Sequence, residues 1–318
     1  MRIDSLVSLI GGELKSRPAV ASLASIAFDP AKVGRGDLFV AKEKEQIPLA
    51  IERGAYGVLF EGWAQISDPE IAWIKVADLD KAVAKLLRFE LIRERPTLVG
   101  LDPLTFDLAR EIVSDGALFM GREPAADLAA FLKKRPHTIL YDRTGYIHKL
   151  GLEEERIDPL PISLRTATLF ESSFVAAGRY HERVPIPPLF LPHIAKILAI
   201  AESRGLSYSL RQRPTSHFRP IFVDAGLKEV EFGASDRVII HEPSLALAQE
   251  VRSYVQSHAP WAKSLFVSTT HIEGYLHAPN VEALKEILYN WPFQYLCVAG
   301  EMPPLEILQK RRKEPSLF

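Results

Sequence analysis

The residues with acid–base or nucleophilic capacity are scattered along the chain rather than gathered into one motif. Nine histidines and one cysteine, Cys297, occur in 318 residues. The closest histidine spacings are His271 with His277 and His137 with His148. Neither is the i, i+4 pair that sets two imidazoles on one helix face for zinc, and no H-E-x-x-H occurs. A serine nucleophile elbow needs G-x-S-x-G, and a dinucleotide site needs G-x-G-x-x-G; the chain has neither. The single cysteine excludes an intramolecular disulfide and a cysteine-based zinc site. It lies in the apolar run Tyr295-Leu296-Cys297-Val298 and reads as a buried small residue. The groups left for acid–base work are Asp29, Lys32, His181, His241 and Glu242. Such work requires two of them to converge on a bound substrate with separated pKa values.

Positioning falls to alternating strands and helices. Asp37–Ala41 predicts a strand after the turn Gly34-Arg35-Gly36, followed by a short helix with Ile47, Ala50 and Ile51 on one face, ending at Gly54. Gly57–Phe60 and Trp73–Val76 predict further strands. Leu79, Val83, Leu86, Leu87 and Glu90 mark a helix closed by Pro96. Thr97–Gly100 predicts a strand and Leu104, Leu108 and Ile112 a helix, then strands at 118–120 and 138–141. Strand–helix alternation argues for parallel pairing with helical crossovers. From Arg165 to Pro187 the pattern becomes a β-meander, with strands expected at 166–170, 173–175 and 180–184. A helix carrying Ile194, Ile197, Leu198 and Ala201 ends at Gly205. The polar stretch 206–220 reads as a linker. Alternation then resumes with strands at 237–240, 265–267 and 295–298 and helices through Val251 and Leu284. Phe218, Phe222, Trp261, Trp291 and Phe293 are expected to pack in cores and between domains rather than to stack on ligands.

Composition bounds the class. Apolar residues at 47% and charged residues at 25% describe a globular chain with ample core. Lys and Arg number 39 against 40 Asp and Glu, a net charge of −1, which supplies no global drive toward nucleic acid or anionic lipid. The N-terminal Met1-Arg2-Ile3-Asp4 carries charge where a secretory leader would be apolar, and no run of about 18 apolar residues exists for a membrane span. The basic end Arg311-Arg312-Lys313 is expected to be solvated.

Ser25-Ile26-Ala27-Phe28-Asp29-Pro30-Ala31-Lys32-Val33-Gly34-Arg35-Gly36-Asp37-Leu38-Phe39-Val40-Ala41 resembles the N-terminal domain of Mur ligases of the MurE and MurF type, whose pattern is roughly D-S-R-x-V-x-x-G-D-L-F-V-A. Similarity continues, more weakly, through Arg179–Pro187, through Arg237-Val238-Ile239-Ile240-His241-Glu242-Pro243-Ser244, and through Gln294–Met302. The resemblance implies an α/β fold in a Mur-ligase-like multidomain layout. The expected parts are a small N-terminal α/β domain of the UDP-muramoyl-binding type at 1–95, a truncated central α/β domain at 96–212, and a C-terminal Rossmann-like α/β domain at 213–318. It also implies a cytoplasmic setting in peptidoglycan precursor synthesis, where these enzymes add amino acids or dipeptides to UDP-muramoyl peptides.

The departures from the family pattern bear on function. An acyl phosphate made from ATP needs a glycine-rich G-x-x-G-K-T cradle whose N–H groups and lysine hold phosphates and whose hydroxyl holds Mg²⁺. In that place the chain reads Gly100-Leu101-Asp102-Pro103-Leu104-Thr105, without lysine, and no G-x-x-x-x-G-K-[ST] occurs elsewhere. Asp102 before Pro103 fits a helix N-cap with proline at the first helical position. The family's Asp-Ser-Arg is Asp29-Pro30-Ala31 here, with Asp29 and Lys32 retained. Its aspartate and asparagine–proline turn is compressed to His241-Glu242-Pro243-Ser244, in which Ser244 fits a helix cap. The expectation is therefore a Mur-ligase relative inactive as an ATP-dependent ligase, with no catalytic residue, cofactor or metal. Asp29, Lys32, Asp102, Thr105, His241, Glu242 and Ser244 are its candidate ligand contacts. UDP-muramoyl precursor or other cell-wall enzymes are the expected partners, without nucleic acid or membrane insertion. The alternatives are an enzyme of different chemistry and a pure protein-interaction scaffold, since fold does not fix function.

Overall fold

The computed structural model describes residues 1–309 of the 318; the basic Arg311-Arg312-Lys313 end lies outside the described residues. The chain forms two compact units, the first comprising Met1–Phe106, Asp115–Ile157 and Arg204–Leu206, the second Asp107–Ser114, Asp158–Ser203 and Ser207 onward.

The first unit begins with α1 (Ile3–Ile10), β1 (Glu13–Leu14), β2 (Ile26–Ala27), β3 (Leu38–Val40), α2 (Ile47–Glu52), β4 (Gly57–Glu61), β5 (Ala72–Val76) and α3 (Leu79–Glu94). The sheet order is β1-β5-β4-β3-β2, parallel except for β1, so β2 is an edge strand. Strand β4 is buried on both faces, as a strand covered by helices on both sides must be. Helix α3 starts where the Asp78 carboxylate accepts from Lys81 N at 2.9 Å and stops at Arg95, which is left-handed at φ 51°, just before Pro96. Its inward stripe Leu79, Val83, Leu86 and Leu87 matches the expected helical face.

The same unit continues with β6 (Thr97–Leu101), the head of α4 (Pro103–Ile112), β8 (Ala117–Met120), α5 (Pro124–Lys134) and β9 (Thr138–Asp142); β7 (Val113–Asp115) runs between α4 and β8. Strands β6, β9 and β8 form a parallel sheet in that order. Leu98, Leu118, Leu128, Phe131 and Ile139 join Leu38, Leu59 and Leu86 in one continuous core.

The second unit holds a meander of β10 (Ile162–Ala167), β11 (Ser172–Ala176) and β12 (Arg179–Val184), followed by α6 (Leu191–Arg204) and β13 (Ser207–Tyr208). A second sheet follows: β14 (Arg219–Phe222), β15 (Val238–Glu242), α7 (Ala248–His258), β16 (Ser264–Ser268), β17 (Leu276–His277), α8 (Val281–Asn290), β18 (Tyr295–Ala299) and α9 (Leu305–Leu308). Its order is β14-β15-β18-β16-β17, with only β14 antiparallel. Ile239, Val267, Leu284, Leu296 and Val298 form its core. Cys297 is buried as expected, and burial pushes its thiol up.

Three local expectations need correction. The first meander strand ends at Ala167 instead of running to 170, because the Thr168 hydroxyl accepts from Phe170 N and Glu171 N and closes a turn. The stretch 206–220 is not a free connector: it carries β13, the start of β14, and buried His217 and Phe218. Phe218, Phe222 and Phe293 are buried, whereas Trp261 and Trp291 are exposed, at 70% and 49%.

Candidate functional site

At the head of α4, Asp102 Oδ1 accepts from Thr105 N at 2.9 Å, and Thr105 Oγ1 donates to Asp102 Oδ2 at 2.6 Å. This is an N-cap reinforced by the hydroxyl three residues on. Thr105 is 1% exposed, so its hydroxyl is turned inward on its own cap. Nearby on β6, a Cβ on Gly100 would overlap the Glu154 carboxylate and the Arg143 guanidinium. Those two groups pair at 2.8 Å, and Tyr141 donates to Glu154 at 2.7 Å.

Asp29 caps a single 3₁₀ turn, Pro30–Lys32, and Lys32 is its last residue. Asp29 accepts from Ala31 N at 3.0 Å and pairs with Lys32 at 2.9 Å, which holds its carboxyl below the usual range. Both border a cleft of about 550 Å³ in the first unit. Glu90 also borders it, 5% exposed and paired with Arg93 at 2.5 Å; burial pushes its carboxyl up despite that arginine.

In the second unit, Glu242 ends β15 and is 1% exposed. Its Oε1 accepts from Ser244 N and faces His217 Nδ1, each at 2.8 Å, and its Oε2 accepts from Phe218 N at 3.0 Å. His217 Nε2 lies 3.2 Å from Asp107 Oδ2 on α4. Two carboxylates flank one ring, so both ring nitrogens donate when the imidazole is protonated. Burial pulls the His217 pKa down, but the hydrogen bonds and charges of Glu242 and Asp107 outweigh it and leave it raised. Beside it, Glu111 accepts from Thr215 N, Thr215 Oγ1 and Ser216 N; burial raises its carboxyl, and these bonds more than reverse that. His241 takes a different direction: its Nε2 meets Gly300 O at 2.8 Å and ties the ends of neighbouring β15 and β18.

The candidate residues are thus brought together in three local sets: Asp29 with Lys32, Asp102 with Thr105, and Glu242 with Ser244. Ser244 takes part through its backbone N–H rather than as a side-chain helix cap. His181 stacks on Phe174 at 5.0 Å between centroids, and burial, with Arg179, lowers its pKa. His217 went unmarked by sequence because a polar run gives no burial signal, and Asp107 because a lone acid on an amphipathic helix looks like a solvated one. The only hint was Phe218 next to His217, an apolar neighbour in an otherwise polar stretch. Among the described residues, no three His, Cys, Asp or Glu side chains converge as a metal site, and no helix is long and apolar enough to cross a membrane.

No family model matches the sequence, and no curated protein matches it. Solved structures do. MurF ligase from Thermotoga maritima, in complex with ADP, superposes with a TM-score of 0.52 at 13% identity, covering 94% of this chain and 96% of that one. MurF from Acinetobacter baumannii gives 0.50 at 12% identity, with 94% and 86% covered. The chain therefore has the multidomain α/β fold of the Mur ligases.

Proposed function

We propose that this chain is a Mur-ligase-fold protein that does not perform ATP-dependent ligation. On this reading it serves in the cytoplasm as a binding, scaffold or regulatory module of peptidoglycan precursor synthesis. The observation that carries the reading is the Asp102 cap. A triphosphate cradle offers unpaired N–H groups and a hydroxyl at a helix head, where the helix dipole favours an anion. Here the Thr105 N–H and hydroxyl are both taken by the chain's own carboxylate, which also sets a negative charge at that head. The chain lacks the lysine of G-x-x-x-x-G-K-[ST] as well.

The ligand of this module is a UDP-muramoyl precursor, or its partner another cell-wall enzyme. Asp29 and Lys32 are the proposed contacts in the N-terminal part, 1–95, and His241, Glu242 and Ser244 those in the C-terminal part, 213–318. The segment between, 96–212, is the reduced central domain. Against an enzyme of other chemistry stands the use already made of Asp29, Glu242 and His241: Asp29 pairs with Lys32, Glu242 accepts from Ser244 N, and His241 meets Gly300 O beside the end of β18.

Thermal-shift titration tests the reading, because a ligand that binds only the folded chain raises its melting temperature by mass action. UDP-muramoyl peptides are expected to raise it and Mg-ATP to leave it unchanged. A saturable shift with Mg-ATP overturns the reading.

A further inference from the structure

Arg213 has no acid partner among the described residues. Its guanidinium lies over the Phe232 ring, with Cζ 4.3 Å from the centroid, and over Phe170 at 5.8 Å. The side chain is half-buried, and burial draws its pKa down. It makes no hydrogen bond and no ion pair among the described residues. Glu171, the acid whose charge bears on it, pairs instead with Arg183 at 3.6 Å. Taking an arginine partly out of water has a cost that a bonded oxyanion ordinarily offsets. With one aromatic face covered, the N–H groups in the guanidinium plane remain for two oxygens side by side.

The surroundings of Arg213 are held in place. Phe170 is 7% exposed and packs on Phe218, Phe222 and Tyr295 with centroids 5.9 to 6.1 Å away. Phe232 is 53% exposed, yet its loop is braced. Val230 N donates to Phe222 O at 2.9 Å, Ala234 N to Glu231 O at 3.0 Å, and Ser235 Oγ to Val223 O at 2.7 Å. A phenyl ring fixed half in water is an unfavourable exposure that an apolar group removes. On the chain side of the guanidinium, Pro214 is buried and Glu111 accepts from Thr215 N and Ser216 N. Register places the cluster: Phe222 pairs with Val238 and Val238 with Tyr295, at the amino-terminal end of β15 and β18. His241 and Glu242 lie at the opposite, carboxyl end of β15, so this inference does not rest on the contacts proposed there.

We propose that Arg213 and Phe232 form a binding site for a small carboxylic acid with an apolar body. The carboxylate pairs bidentately with the guanidinium, and the apolar body covers the exposed part of Phe232. One cation beside the Glu171 charge matches a single negative charge, which favours a carboxylate over a phosphate dianion. Arg213 itself repels an ammonium.

Isothermal titration of the full chain with phenylacetate tests this. Saturable one-to-one binding that weakens with salt is expected. Arg213→Gln should weaken it at least about tenfold, the worth of a charged hydrogen-bonded pair. Arg213→Lys should weaken it as well, because it keeps the charge without the planar fork. Phe232→Ser is expected to weaken it, and Arg211→Gln, at an exposed arginine two residues away, to leave it unchanged. Circular dichroism melts check that each variant is folded; Phe232→Ser, at a position over half exposed, keeps the test valid if the Arg213 variants do not fold. Absence of saturable binding, phenyl phosphate or phenethylamine binding as tightly as phenylacetate, or indifference to Arg213→Gln would each overturn the proposal. None of these results depends on whether Mg-ATP or UDP-muramoyl peptides shift the melting temperature.

Discussion

At Asp102 one carboxylate both caps a helix and holds the hydroxyl of Thr105. Asp102→Ala is expected to cost about 0.5–2 kcal/mol in urea unfolding, the worth of an N-cap, and Asp102→Asn a smaller part of that. His217 is the residue whose loss has the largest expected consequence. Without the ring, Glu242 keeps its two backbone donors but loses its charged partner in a buried place. His217→Ala should destabilise by about 3–5 kcal/mol, the cost of breaking a buried pair from one side. The pH dependence has a definite sign. The folded-state pKa of His217 is raised by Glu242 and Asp107 despite burial, so its stabilisation is full below the unfolded value of about 6.5. It fades as pH climbs through the folded value. Urea midpoints of the wild-type chain should therefore fall between about pH 6.5 and the alkaline side, and His217→Gln should flatten that slope. A wild-type midpoint that stays level or rises across that range would remove the charged-ring account.

Among elements, α3 offers the sharpest test of helical phase. Leu87 is fully buried and Phe89, two residues on, is 37% exposed. Leu87→Ala should cost about 2–5 kcal/mol and Phe89→Ala well under that, read from denaturant midpoints. A larger loss at Phe89 would mean that the helix buries its other face. This helix was legible in the sequence because apolar residues at Leu79, Val83, Leu86 and Leu87 repeat with the helical period, and the parallel strands β4, β5 and β18 because they are short apolar runs. The segment 206–220 was not legible. Its polar residues are bonded by partners distant in sequence: Thr215 by Glu111, 104 residues before it, and buried His217 by Glu242, 25 residues after it. Periodicity reports a local face and is blind to such pairings. The turn at Thr168 was hidden for a related reason, since a threonine that favours strands on propensity spent its hydroxyl on the backbone ahead of it. At the candidate site, the cap role of Asp102 was readable from Asp-Pro alone, while the ring that joins Asp107 to Glu242 was not.

For the molecule as a whole, similarity to MurF structures persists at 12–13% identity, as expected where burial pattern rather than residue identity specifies a fold. The motif departures fall where the resemblance implies ligand contacts, whereas the strands and helices of both units keep buried apolar cores. A chain with net charge −1 has no long-range field to draw in a polyanion, so any ATP affinity must come from a built site. The most direct measurement is isothermal titration of the full chain with Mg-ATP, repeated with a UDP-muramoyl peptide present. The account predicts no saturable heat up to about 1 mM, a Kd worth ~4 kcal/mol, and no release of inorganic phosphate. Stoichiometric Mg-ATP binding tighter than that, lost on altering Thr105, would contradict it.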